Sequence, residues 1–253
     1  GDYIDGDASN TGAFKDTTCG VSIARTDHSD IYFNGLIDEV RVYNRGLSDA
    51  EVWALYTQGR DTNSNNVPGP LGEWRFNNGS GQTAFDTAED NDGTLNGDPQ
   101  WVEGIQGNAL EFDGDGDYVG IENSNNEVFS DVNNDTISIS VWFYGAVDNA
   151  EDMGGLMSTE DYTHSGWRFG ALSSAWGSNA GKVRFWSTES GGTLSIQSDN
   201  PVPVREWSHI VVTYNGSLGK LYLNNNLEDT GFGGIIAPTL DVVTLVCDIV
   251  SKK

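Results

Sequence analysis

The chain has 253 residues, of which 37% are hydrophobic and 32 are glycine, and its formal net charge is −25. An acidic surface of this kind repels the phosphate backbone of nucleic acids and the anionic leaflet of membranes, so neither is an expected partner. No apolar run reaches the roughly 18 residues that a transmembrane helix needs, so membrane insertion is not expected.

Only two cysteines are present, Cys19 and Cys247. Two cysteines are too few for a disulfide scaffold, and they do not indicate a redox compartment. We interpret both as small core residues, and a disulfide between them remains the alternative.

The first predicted element is a strand over residues 36–43, because its apolar residues alternate with polar ones. Alternation sorts its side chains onto two faces. The face expected to point into the core carries Leu36, Asp38, Val40 and Val42, and the opposite face carries Ile37, Glu39, Arg41 and Tyr43.

A short helix is predicted next, from Asp49 to Tyr56. Ser48 precedes it and Glu51 follows three residues later, which is the spacing of a capping box. Val52 and Leu55 share one helical face, so the helix is expected to dock on a sheet.

The remainder of the chain is predicted to consist of strands. A polar, asparagine-rich linker at 61–70 precedes them. Glycine- and asparagine-containing turns separate the strands, and several short strands with such turns indicate an all-β sandwich. Alternation is clearest in segments 136–144, 182–187, 209–214 and 220–224.

Several motifs resemble one known family. Residues 33–47 (FNGLIDEVRVYNRGL), with the capped helix behind them, resemble the closing segment of LamG-like jelly-roll domains of the concanavalin A-like lectin/glucanase superfamily. From residue 71 onward the chain resembles the beginning of the same domain, through EWRF at 73–76, GNALEFDGDGDYV at 107–119 and WSHIVVTY at 207–214. The resemblance implies a two-sheet antiparallel jelly-roll sandwich with one short helix.

The order of these motifs is unusual, because the closing motif comes before the opening one. We interpret residues 1–60 as the closing strands and helix of one repeat, 61–70 as a linker, and 71–253 as the main body of a sandwich that lacks its own closing motif. A likeness between segments 17–27 and 243–253 supports a tandem array.

A sandwich without its last strands would expose an apolar edge. We therefore predict that residues 1–60 complete the body formed by 71–253. A monomer closed within one chain is expected, and a domain-swapped dimer is the alternative.

Candidate ligand-binding residues are the aromatic and polar side chains opposite the predicted core faces. Aromatic rings stack on the apolar faces of sugars, while polar groups orient the hydroxyls. The alternative is that these rings pack inside the sandwich. The predicted platform, on an open sheet face, consists of Trp142, Tyr144, Arg184, Trp186, Glu39, Arg41, Tyr43 and His209.

The resemblance also implies a structural calcium ion, since the loop of many LamG-like domains that corresponds to residues 86–93 holds one. Calcium takes six to eight oxygen ligands from carboxylates, amides and carbonyls. The candidates are Asp86, Asn91 and Asp92, with Asp38 of the closing strand as a partner. The alternative is a solvated acidic surface.

No catalytic residue is predicted, and enzymatic activity is left open. Glycoside hydrolases of this superfamily carry a Glu-x-Asp-x-(x)-Glu strand, and the nearest approach here, EFDGD at 111–115, lacks the last glutamate. We expect a non-catalytic module that binds a glycan or an extracellular-matrix ligand, in a secreted or cell-surface adhesive protein with several repeats. A polysaccharide hydrolase or lyase and a ligand-free spacer repeat are the alternatives.

Overall fold

The computed structural model describes residues 21–26, 31–58, 67, 69–121, 136–148, 153–159, 166–171, 174–189 and 192–232. The predictions for Cys19, Cys247 and segment 243–253 lie outside these residues. The strands are β1 (Val21–Ile23), β2 (Arg25–Thr26), β3 (Ile31–Tyr32), β4 (Asn34–Tyr43), β5 (Gly72–Trp74), β6 (Thr83–Ala84), β7 (Gly93–Asn96), β8 (Gln100–Glu103), β9 (Asn108–Asp113), β10 (Tyr118–Ile121), β11 (Thr136–Gly145), β12 (Gly155–Ser158), β13 (Gly166–Ala171), β14 (Val183–Glu189), β15 (Gly192–Gln197), β16 (Trp207–Asn215), β17 (Leu218–Leu223) and β18 (Asn226–Phe232). Helix α1 (Asp49–Gln58) follows β4, and a 3-10 helix (Ser174–Asn179) precedes β14.

Two large antiparallel sheets form the sandwich. The β1 sheet has the strand order β15-β14-β13-β12-β1-β10-β7-β6. The β4 sheet has the order β18-β17-β16-β11-β4-β9-β8, and β5 also pairs with β4. This architecture confirms the predicted all-β fold of two antiparallel sheets with one short helix.

The hydrophobic core lies between the sheets and is built from alternate strand positions. Ile139 and Val141 of β11 and Val183 and Phe185 of β14 are fully buried in one cluster. Period-2 alternation produces this arrangement, because successive side chains of a strand point to opposite faces. Burial of one such side chain contributes about 1.5–3 kcal/mol.

The amino-terminal segment supplies inner strands to both sheets. Strand β1 pairs with β10 and β12, and β4 pairs with β11 on one side and with β9 and β5 on the other. Val40 and Val42 of β4 are fully buried in the core. The domain boundaries and the origin from a tandem array stay predictions.

A β-bulge in β4 reverses the predicted faces in the first half of this strand. Glu39 has a φ of 52°, and the pairing with β11 shifts register beside it. An extra residue at a bulge changes which face the following residues occupy. Ile37 therefore shares the core side with Val40, while Leu36 and Asp38 lie on the outer side, so their predicted core-facing placement is wrong.

Helix α1 lies on the outer face of the β4 sheet. Its predicted capping box is present, since the Glu51 N–H donates to Ser48 Oγ (3.4 Å) and the Ser48 N–H donates to Glu51 Oε2 (2.9 Å). Val52 and Leu55 are fully buried in a second apolar cluster against this sheet. Within the described ranges, no helix has the length and apolar character needed to cross a membrane.

Candidate functional site

The eight predicted ligand-binding residues do not share one face. Six of them lie on β4, β11 and β16, whereas Arg184 and Trp186 lie on β14 of the opposite sheet. The outer faces of two sheets in a sandwich point in opposite directions. The expectation of one open platform is therefore wrong.

Helix α1 covers the central part of the outer face of the β4 sheet. Tyr56 of the helix stacks on Trp142 with ring centroids 5.6 Å apart, and Trp142 stacks on His209 at 4.8 Å. His209 Nε2 also lies 2.8 Å from Ser140 Oγ. Trp142 is fully buried and His209 is 1% exposed, so these rings hold the helix on the sheet instead of forming an open surface.

A charged network lies on the same buried face. The Arg41 guanidinium donates to Glu39 and, through Nε, to Glu73 Oε1 (2.7 Å). Burial alone would raise the pKa of Glu73, but the hydrogen bond from Arg75 and the positive charge of Arg41 lower it to about 2. Burial raises the pKa of Glu39 and brings that of Tyr43 to about 12. The buried ion pair between Arg41 of β4 and Glu73 of β5 connects the two strands, which are also backbone-paired at these residues.

Tyr144 lies on the same face of β11 two residues beyond Trp142, the residue that contacts helix α1. It is half-buried, and its ring packs against that of Trp207 with centroids 5.9 Å apart. Of the six predicted residues on the β4 sheet, Tyr144 alone is not buried.

The outer face of the β1 sheet brings arginine and tryptophan together. Arg168 of β13 is the direct neighbour of Trp186 on β14, and its guanidinium carbon lies 3.4 Å from the centroid of the indole ring. The guanidinium carbon of Arg184 lies 4.9 Å from the same ring, and its Nε donates to Ser195 Oγ (2.8 Å). Burial lowers the pKa of Arg184, but a guanidinium stays charged in proteins. All three of the stacked side chains are half-buried.

A second arginine–aromatic group lies on the same side of the molecule. The guanidinium carbon of Arg25 is 4.8 Å from the ring centroid of Tyr118 and 5.7 Å from that of Tyr32. Ser158, the cross-strand neighbour of Arg168, donates from Oγ to the Arg25 carbonyl (3.1 Å). The two groups are therefore linked through one serine.

The predicted calcium loop is held together by hydrogen bonds. Asp86 Oδ1 accepts from the N–H groups of Glu73 (2.8 Å) and Ala88 (2.9 Å), and its Oδ2 accepts from the backbone and side-chain amides of Asn91. Asp92 Oδ1 accepts from the Asp86 N–H (2.9 Å). The loop thus brings three candidate ligands together, but N–H donors surround the Asp86 carboxylate, and this arrangement does not fit a cage of six to eight oxygens.

Asp38 makes its contacts elsewhere. Its Oδ1 accepts from the Glu39 N–H (2.7 Å), and its Oδ2 accepts from the Gln106 N–H (3.1 Å) in the turn between β8 and β9. Asp38 therefore does not contact the 86–93 loop as expected, because the bulge directs its side chain toward the turn between β8 and β9. Calcium binding by the loop residues stays a prediction.

A different acidic group forms where β9 leads into β10. One carboxylate oxygen each of Asp98, Asp113 and Asp117 lie within 4.8 Å of one another. Burial raises the pKa of Asp117, whose Oδ1 accepts from the Asp98 N–H (2.8 Å). Hydrogen bonds from backbone N–H groups therefore account for the position of Asp117. The three carboxylates do not by themselves indicate a metal site, because acidic clusters on protein surfaces commonly form without a metal.

Sequence reasoning did not single out Arg168 or Arg25. The signal for Arg168 was present, because Trp167 and Phe169 flank it and both face the core. Alternation in β13 therefore places Arg168 on the outer face. Arg25 follows Ala24, which has a φ of 69°, so the strand pattern breaks immediately before it and gives no face assignment.

Comparison with known proteins identifies the family. The model of the family Laminin_G_3, described as the concanavalin A-like lectin/glucanases superfamily, matches residues 2–53 and 113–243, which together exceed half of the chain. Searches of curated proteins and of solved structures found no match. The resemblance expected from the motifs is confirmed, and the sandwich described above is the architecture that it implies. The chain therefore belongs to the Laminin_G_3 family of the concanavalin A-like lectin/glucanases superfamily.

Proposed function

We propose that the chain is a non-catalytic glycan-binding module of a secreted or cell-surface protein, and that its ligand lies on the outer face of the β1 sheet. The observation that carries this proposal is the half-buried group of Trp186, Arg168 and Arg184. An aromatic ring beside oriented polar groups suits a sugar, whose faces are apolar and whose edges carry hydroxyls.

The opposite sheet is less suited to this role. Helix α1 buries Trp142 and His209, so a glycan reaches neither ring without removal of the helix. The side chains of the two acids that Arg41 brings together, Glu39 and Glu73, are at most 8% exposed. An acid–base pair for glycoside hydrolysis must contact the sugar, and buried carboxyls do not support that alternative.

The test is a glycan array with the intact chain, followed by affinity measurements on each glycan that binds. We expect Trp186→Ala to weaken binding by about tenfold or more, because buried aromatic anchors carry much of the energy of an interface. Trp53→Ala is the matched control, since Trp53 is 57% exposed and lies on helix α1, which packs on the opposite sheet. An array without any bound glycan would overturn the proposal and favour a ligand-free spacer.

A further inference from the structure

A row of outward-facing positions, hereafter the Tyr144 row, crosses five strands of the β4 sheet beyond helix α1. Its members are direct cross-strand neighbours, namely Gln100, Glu111, Leu36, Tyr144 and Trp207. Gln100 and Glu111 are exposed, and the other three are half-buried. With strands about 4.8 Å apart, the row extends over about 19 Å of the outer face. Solvent therefore reaches this part of the sheet, which the helix does not cover.

The aromatic end of the Tyr144 row lies next to the area that helix α1 covers. Tyr56 of the helix contacts the cross-strand pair of Trp142 and His209, and the next outward pair along β11 and β16 is Tyr144 and Trp207. The rings of this outer pair have centroids 5.9 Å apart and planes inclined by 58°. An aromatic face attracts a cation that lies within about 6 Å of the ring centroid. Two rings at this spacing therefore offer one cationic group contact with both.

The other end of the Tyr144 row is strongly acidic. Residues 76–167 contain 19 aspartates and glutamates but no lysine or arginine, and they include β8, β9 and β11. On the outer side of β9, Glu111 belongs to the row and Asp113 lies two residues further along, and both are exposed. Arg205, whose N–H donates to the Gly145 carbonyl, pairs with Asp148 (2.6 Å). Negative charge therefore exceeds positive charge at this part of the sheet.

We propose that the Tyr144 row is a docking site for a basic segment of a partner protein. One lysine or arginine side chain of that segment lies against Tyr144 and Trp207, and a second pairs with Glu111 or Asp113. The two positions are two strand spacings apart, about 10 Å, so cationic side chains close together in one extended segment reach both. Leu36 lies between them and contacts the apolar stems of these side chains.

Charge complementarity favours a basic partner over a neutral glycan at this row. The chain has a formal net charge of −25. A field of this sign accelerates the association of cationic partners and disfavours anionic ones. The docking site is separate from the glycan site proposed on the β1 sheet, and neither proposal depends on the other.

The test measures the binding of hexalysine to the intact chain by isothermal titration calorimetry. Hexalysine acetylated at every side-chain amine is the neutral match, because acetylation removes the charge and keeps the stem. We expect hexalysine to bind at least about tenfold more tightly than the acetylated peptide, as several charge-assisted contacts imply. This preference should decrease at high ionic strength.

Substitutions then locate the binding site, because an acidic chain attracts polycations at many positions. Tyr144→Leu and Trp207→Leu each remove an aromatic ring and keep an apolar side chain. Each should weaken hexalysine binding by about two- to fivefold, which is the contribution of an exposed cation–aromatic contact. Thermal melting of each variant checks its fold.

A pair of double variants separates the row from the overall charge. Glu111→Gln Asp113→Asn should weaken hexalysine binding by about fivefold, since it removes two ion pairs. Glu89→Gln Asp90→Asn removes the same charge from exposed positions of the 86–93 loop, which contacts β5 through Asp86. This control should change the affinity by less than about twofold, because solvent ions screen charges at a distance.

Equal affinity for hexalysine and its acetylated form, or no binding of hexalysine, would overturn the docking site and leave the glycan proposal to its own test. Equal weakening by the two double variants, or unchanged affinity in the folded aromatic variants, would also overturn it. If an aromatic variant does not fold, the comparison of the two double variants carries the test. A neutral glycan whose binding is lost in folded Tyr144→Leu would assign the row to sugars and overturn the basic partner.

Discussion

At the scale of single residues, the buried carboxyl group of Asp38 makes the stability of the fold depend on pH. Burial outweighs the hydrogen bond from the Gln106 N–H and raises the pKa of Asp38 to about 8. In the unfolded chain the pKa of an aspartate is about 4. Between these two values the folded protein keeps a proton that the unfolded chain releases, so the free energy of unfolding falls as the pH rises.

We expect the wild-type free energy of unfolding to decrease from about pH 4 to about pH 8, by at most about 1.4 kcal/mol per pH unit for this group. Asp38→Asn removes this contribution and leaves that of Glu39, whose pKa burial also raises. Urea denaturation across this range measures the difference, with Glu111→Gln at an exposed position of β9 as control. Parallel pH profiles for the wild type and Asp38→Asn would contradict the prediction.

Asp86 organises its loop through four N–H donors from Glu73, Ala88 and Asn91. Asp86→Ala leaves these donors without their acceptor, so we expect a loss of about 2 kcal/mol in the free energy of unfolding. Asp90→Ala is the control, because Asp90 is exposed in the same loop. Chemical denaturation measures both variants, and equal stabilities would contradict this account.

The same loop provides the test for calcium. If Asp86, Asn91 and Asp92 bind the ion, a chelator should lower the melting temperature of the wild type and leave that of Asp86→Ala unchanged. The hydrogen-bonded arrangement of Asp86 instead predicts melting curves that coincide with and without the chelator.

At the scale of elements, helix α1 depends on the sheet beneath it. Leu55 is fully buried against the β4 sheet, whereas Trp53 on the other side of the helix is 57% exposed. We expect Leu55→Ala to lower the free energy of unfolding by about 2–5 kcal/mol, because it leaves a cavity at the contact. Trp53→Ala should change it by no more than about 0.5 kcal/mol. Guanidinium denaturation of both variants distinguishes the two faces, and similar losses would contradict the packing.

Helices and strands could be predicted where residues close together in the sequence determine them. The capping box of Ser48 and Glu51 and the alternation in β11 and β14 correspond to the observed helix and strands. The bulge at Glu39 was not predictable, because a non-glycine residue with positive φ has no clear signature in one sequence. That single backbone conformation reversed the predicted faces of Leu36 and Asp38.

At the scale of the whole molecule, the chain leaves β4, passes through α1 and then pairs with β4 again through β5. After α1 and the linker, the Leu71 N–H donates to the Val42 carbonyl (2.7 Å), and β5 pairs with β4. A connection between such neighbouring strands costs little loop entropy, which favours closure within one chain. We therefore expect a monomer of 27.3 kDa in light scattering coupled to size-exclusion chromatography. Twice that mass, stable on dilution, would indicate the domain-swapped dimer instead.

The sequence by itself determined the class of fold, the helix and its cap, and the family, because alternation, capping and short motifs are local properties of the chain. Only the tertiary structure decided which polar face stays accessible. Trp142 and Trp186 occupy equivalent outward positions in their strands, yet α1 buries the first while the second lies beside Arg168. The physical reason is that exposure depends on what packs over a face, and that covering element can lie far away along the chain.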